Sequence, residues 1–110
     1  MKTSELQGFL GAVCVQDSFA NKEIAGAYTS DLLSDAMANA VDGGVLITIQ
    51  AHKNTVAVGT LKDLAAIVVC NNRPIPDDMI EAARAEGIAI FVTKENQFTV
   101  SGKLWQRLGS

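Results

Sequence analysis

Three stretches of the chain are apolar almost without interruption: VLITIQ from Val45, AAIVVC from Ala65 and IAIFV from Ile88. Strands buried on both faces read this way, because neither side of the pleat meets water. Counted with EIAGAY, the apolar starts fall at Ile24, Val45, Ala66 and Ile88, spaced by 21, 21 and 22 residues. The residues themselves do not repeat, so this is not a solenoid. The spacing is that of successive strand–helix units in a largely parallel sheet. A shorter run, AVCV from Ala12, precedes a polar turn around Asp17. The pattern predicts a three-layer α/β/α sandwich with a mainly parallel sheet of four to five strands. No Pro-rich stretch, linker or low-complexity segment divides the chain, so residues 1–110 read as a single domain.

The helices are punctuated with unequal clarity. PDDMIEAARAEG has Pro76 at the first position, Asp77 and Asp78 against the positive end of the dipole, and Gly87 as its stop. Near the start, Ser4 is expected to cap a short helix with Gln7 completing a capping box, Leu6, Phe9 and Leu10 on one face, and Gly11 at its end. In the last segment Phe98, Trp105 and Leu108 fall close to one stripe, which predicts Trp105 as a packing anchor. In AYTSDLLSDAMANAVDGG a Ser-Asp pair at Ser30 and Asp31 recurs at Ser34 and Asp35. Ser30 is expected to cap the helix that follows the first rim strand, with Asp31 in its first turn.

Composition narrows the partners. Formal net charge is −3 and the nine basic residues are scattered, which argues against nucleic acid, whose phosphates require a cationic stripe. The longest apolar run, Leu64 to Cys70, is far short of a membrane span, and Met1-Lys2 leads into a polar segment, so a cytoplasmic protein is expected. Cys14 and Cys70 stand alone inside apolar runs and read as small buried hydrophobes.

In an open parallel sheet, ligands settle beyond the carboxyl ends of the strands, where helix amino termini offer free N–H groups. Four polar clusters follow the four strands: Thr29-Ser30-Asp31, Gln50 to Asn54, Asn71-Asn72-Arg73 and Thr93 to Asn96. From these we take Ser30, Asp31, Gln50, His52, Asn54 and Asn72 as the candidate ligand rim. Ser30 and the N–H groups behind it would receive an anion, Gln50, Asn54 and Asn72 would orient it, and His52 could supply pH-dependent charge. Caps and turns select the same residue types for backbone reasons, so each candidate carries that structural reading beside the functional one.

Catalytic patterns are absent by inspection. No G-x-S-x-G elbow occurs, and neither cysteine has a histidine suggested by sequence. SGK at Ser101 to Lys103 imitates a phosphate loop, but Gln97 holds the place of its first glycine and Leu104 that of the magnesium-binding hydroxyl. Asp31 and Asp35 share a helix spacing without a third carboxylate nearby, so neither metal nor cofactor is implied.

GAYTSDLLSDAMANA followed by VLITIQAHKNTVAVGTLKDLAAIVV resembles a DRTGG domain of the small stand-alone kind, over about Gly8 to Leu108. Its most specific pieces are Ser30 to Asp35 and Ile47-Thr48-Ile49-Gln50 with His52 and Asn54. The naming signature itself is altered: Asn21-Lys22 replaces the Asp-Arg pair, and Gly26-Ala27 replaces paired glycines. The resemblance implies a fold similar to the amino-terminal domain of HPr kinase/phosphorylase and, more remotely, of the Mur ligases. It also implies a homodimer and an enzyme partner, since such domains accompany phosphotransacetylases, CBS-domain proteins and their pyrophosphatases, and small ones accompany iron-only hydrogenase systems. The kinase chemistry of the HPr enzyme belongs to a separate phosphate-loop domain and is not implied here.

The sequence therefore points to a non-catalytic regulatory or scaffold module that senses a small anionic metabolite or nucleotide at the strand-end rim. Two alternatives share its residues: a pure protein-binding adaptor, and a small enzyme using His52 with Asp31 or Asp35. The latter needs those groups within hydrogen-bond reach in a shared cleft.

Overall fold

The three long apolar runs become the central strands of a five-stranded sheet in the computed structural model, which describes residues 1–109. The strands are β1 (Val13–Gln16), β2 (Ala27–Thr29), β3 (Val45–Thr48), β4 (Ala66–Val69) and β5 (Ala89–Val92), in the order β1-β5-β4-β3-β2. The four later strands are parallel, and β1 pairs antiparallel with β5, with a register shift between Cys14 and Gln16. The first parallel strand begins at Ala27 rather than Ile24. Ile24 is instead tied to the amino terminus, its N–H donating to the Met1 carbonyl.

The helices are α1 (Leu6–Leu10), α2 (Leu33–Asn39), α3 (Lys53–Leu61), α4 (Asp77–Glu86) and α5 (Gln97–Leu108). From β2 to β5 the sheet grows by one neighbour at each step, so right-handed crossovers stack α2, α3 and α4 on one face. There Ala36, Val56, Val58, Met79 and Ala83 meet Leu46, Ile67, Val69 and Ile90. The alternate strand residues Val45, Ile47, Ala66, Val68, Ala89 and Phe91 point the other way, toward Leu6 and Leu10 of α1 and Val100 and Leu104 of α5. Both faces of β3 and β4 are buried throughout, which is why their sequences show no alternation. Each such Val or Ile contributes roughly 1.5–3 kcal/mol of transfer free energy.

Several local expectations shift. Ser4 and Gln7 do not make the first cap: the Glu5 carboxylate accepts from the Lys2 N–H at 2.6 Å, and the Asn21 side chain accepts from the Ser4 N–H at 2.9 Å. Leu6 and Leu10 are buried while Phe9 lies at the surface, and Gly11 ends α1 in the left-handed region at φ 63°. Pro76 caps α4 from just outside its first residue, and Gly87 closes it at φ 69°. The larger correction concerns α5. Its buried stripe is Val100 and Leu104, with Leu108 partly buried, whereas Phe98 and Trp105 are 88% and 63% exposed. Among the described residues no helix is long and apolar enough to cross a membrane.

Candidate functional site

The first Ser-Asp pair does not begin α2. The helix starts at Leu33 with Leu32 at its cap, so Asp35 of the second pair lies in its first turn. Ser30 and Asp31 stand in the loop before it. The Ser30 hydroxyl accepts from the Leu32 N–H at 3.2 Å, a local turn, and its own N–H donates to the Ile47 carbonyl.

Asp31 is the hub of the β2–β3–α5 corner. Its Oδ1 accepts from the Thr48 hydroxyl at 3.1 Å, the Ile49 N–H at 2.9 Å and the Gln97 side-chain amide at 2.7 Å. The Gln50 side chain donates to the Asp31 carbonyl at 2.9 Å. Thr29 and Ser101 close the same corner through a 2.6 Å bond between their hydroxyls. Ser30, Asp31 and Gln50 are thus brought together, and the partners that Ser30 and Asp31 engage on Ile47, Thr48, Ile49 and Gln97 are far away in sequence.

His52 and Asn54 lie at the start of α3, where His52 is the cap residue and its Nδ1 accepts from the Asn54 N–H at 3.0 Å. Asp35 is engaged elsewhere, accepting from the Tyr28 hydroxyl at 2.8 Å and the Asn39 amide at 2.9 Å. Those bonds, Tyr28 foremost, hold its carboxyl below the ordinary range and push the Tyr28 phenol up. No hydrogen bond among the described residues joins His52 to Asp31 or Asp35, so the acid–base pairing required by an enzyme reading is not assembled.

Cys70, just after β4, is fully buried, and burial first, with the Asp31 carboxylate second, pushes its thiol up to about 11. At neutral pH it is therefore a protonated, inert hydrophobe. We expect iodoacetamide to label half-buried Cys14 before Cys70 in the folded chain, with Cys70 modified only as the chain unfolds. Peptide mass spectrometry across a denaturant series reads this directly.

The sixth candidate, Asn72, is at the opposite end of the rim. The loop after β4 leads to α4 on one face, whereas the loop after its neighbour β5 leads to α5 on the other. Adjacent loops that part to opposite faces open a crevice at the strand ends, the topological switch point where α/β folds bind ligands. A groove of about 520 Å³ occupies this place. Val13, Val15, Ile75, Ile80 and Val92 give it an aliphatic floor, and Asn72, Arg73, Thr93, Lys94 and Glu95 a polar rim.

The rim is held by backbone. Asn71 and Asn72 are both left-handed, at φ 62° and 50°, so that their N–H groups donate to Glu95 and Thr93 carbonyls at 3.0 and 2.8 Å. Asparagine is among the few residues other than glycine that adopt this conformation readily. The turn leaves Arg73 and Lys94 outside any ion pair among the described residues, which hold only Met1–Glu23 and Lys22–Asp63. Sequence reasoning placed both loops on the rim but left out Arg73, Thr93 and Lys94. The signal needed was strand order, which decides where neighbouring loops diverge.

No protein-family model matches the chain, and no curated protein sequence does. Among solved structures the fold is similar to the CBS and DRTGG domains of the regulatory region of a Clostridium perfringens pyrophosphatase, crystallised with its activator diadenosine tetraphosphate. The TM-score is 0.73 at 16% identity, covering 94% of this chain and 45% of that one. The chain thus spans less than half of the structure it matches, and at this identity the likeness shows the fold: a DRTGG-like α/β arrangement with one antiparallel edge strand.

Proposed function

We propose that the chain is a non-catalytic, homodimeric regulatory module that senses a small anionic ligand, with nucleotides the first class to try, in the groove at the β4–β5 switch point. The observation that carries this reading is the groove itself: an aliphatic floor to take an apolar body, with Asn72 at the rim and Arg73 and Lys94 beside it outside any ion pair among the described residues. The structural neighbour is a regulatory region complexed with a nucleotide activator, which supports the same class of role. In this reading an enzyme partner, of a hydrogenase system or a metabolic phosphotransferase, receives the signal. Of the six rim candidates Asn72 contacts the ligand, while Ser30, Asp31, Gln50, His52 and Asn54 hold the loops.

A ligand that binds only the folded chain raises its midpoint, by about 2.7 kcal/mol of stability at a hundredfold excess over Kd. We expect at least one of AMP, ATP, diadenosine tetraphosphate, acetyl phosphate and inorganic phosphate to raise the Tm. The Arg73→Ala/Lys94→Ala double variant should lose that response. Loss of the response in His52→Ala/Asn54→Ala instead would move the site to the start of α3, and silence across the panel would remove the sensing role.

A further inference from the structure

The floor and the rim of the switch-point groove differ in chemistry. Val13 and Val92 are register partners on β1 and β5, and with Val15, Ile75 and Ile80 they make a floor of branched aliphatic side chains, with no aromatic residue among those lining the groove. All five keep surface in water, Val13 most, at 63%. At the rim, backbone donors are already spent. The N–H groups of Asn71, Asn72 and Thr93 donate to the carbonyls of Glu95, Thr93 and Val69, and that of Glu95 to the Thr93 hydroxyl. The charge comes from side chains: two cations, Arg73 and Lys94, against one carboxylate, Glu95, on a chain of formal net charge −3. Asp77 and Asp78, in the first turn of α4, do not line the groove.

We infer that this groove takes an aliphatic chain ending in a phosphate, the chemistry of an alkyl or acyl phosphate. This rests on the sensing reading above and names its ligand class. A purine laid on the floor would find no aromatic face to stack on, and its ring nitrogens would lie against Val and Ile without a hydrogen-bond partner. An alkyl chain leaves nothing unpaired there and covers the apolar surface that Val13 shows to water. At the other end, two cations match a phosphate dianion better than the single charge of a carboxylate, and a guanidinium such as that of Arg73 can meet two phosphate oxygens at once. Inorganic phosphate and acetyl phosphate are the shortest members of this series, with little or no chain to bury.

Isothermal titration calorimetry of the full chain with methyl, butyl and hexyl phosphate tests this. Affinity should rise about fourfold for each methylene that the floor buries. Hexyl phosphate should also bind more tightly than hexanol, hexanoate or AMP. Arg73→Ala/Lys94→Ala should weaken hexyl phosphate by about tenfold or more. Val13→Glu, at a position already mostly in water, should flatten the rise with chain length. Circular dichroism checks that both variants fold, and the wild-type series decides without them. Affinity that ignores chain length, a rise that survives in folded Val13→Glu, or tighter binding of AMP than of hexyl phosphate would overturn the aliphatic phosphate and leave the sensing role standing. Silence of the whole series and of the nucleotides alike would overturn both. Vesicles of phosphatidylcholine with phosphatidic acid should not sediment the chain; if they do, the phosphate belongs to a lipid surface and the small-molecule class falls.

Discussion

Asp31→Ala should cost about 3 kcal/mol of stability, because it strands three donors at once. The Thr48 hydroxyl, the Ile49 N–H and the Gln97 amide converge on one carboxylate oxygen at 3.1, 2.9 and 2.7 Å, on a residue only partly open to solvent. Each stranded group costs roughly 1–3 kcal/mol when dry, and water reaching the loop from outside returns part of that. At about 4 °C per kcal/mol for a domain of this size, Tm should fall by about 12 °C. Asp31→Asn preserves an Oδ1 acceptor and loses only the charge on it, so its loss should be about 1 kcal/mol. Asp42→Ala, at an exposed aspartate with no side-chain hydrogen bond or ion pair among the described residues, should stay within about 0.5 kcal/mol. Thermal melts of the three variants separate these expectations. Equal effects at positions 31 and 42 would show that the corner is not held by Asp31.

The same residue shows where sequence reasoning stops. Ser30-Asp31 and Ser34-Asp35 satisfy the rules for a helix start equally well, and local physics cannot choose between them. The choice is made from afar: Asp31 is drawn out of the helix by Thr48 and Ile49 on the next strand and by Gln97, 66 residues on. Helix α5 failed for a related reason. Phe98 and Trp105 form one stripe, Val100 and Leu104 another, and periodicity gives both without saying which faces the sheet. Hydrophobicity favours the aromatics, whereas the residues that pack into the core beneath α5, with Val45 and Ile47 of β3, are Val100 and Leu104. By contrast β4 and α4 were legible because their signals are local: an unbroken run of branched residues, and a helix bounded by Pro76 and Gly87. The switch-point groove was half legible. Its loops were visible, but their divergence depends on a strand order that no local signal carries.

Gly44→Ala is expected to be as damaging as the loss of Asp31, by the opposite route of adding one methyl group. A Cβ at Gly44 would stand 2.7 Å from the Gly26 carbonyl oxygen, 3.2 Å from its carbon, and 3.0 Å from the Val41 carbonyl oxygen. These obstacles are backbone, and both oxygens are already committed: Gly26 accepts from the Val45 N–H at 2.9 Å and Val41 from the Gly44 N–H at 3.0 Å. The Gly44 carbonyl in turn accepts from the Ala65 N–H at 2.8 Å, so the strain would be shared across the starts of β2, β3 and β4. Overpacking of this kind costs about 1–3 kcal/mol where side chains yield, and a site that must displace backbone belongs at the upper end, about 3 kcal/mol. Gly8→Ala is the control that isolates sterics from composition: in helix α1 a Cβ there meets nothing within 4 Å, and the substitution should stabilise by about 0.5–1 kcal/mol. Urea unfolding of the two variants should therefore move the midpoint in opposite directions, and a Gly44→Ala midpoint equal to wild type would show that the β2–β3 junction has slack that its close approach denies.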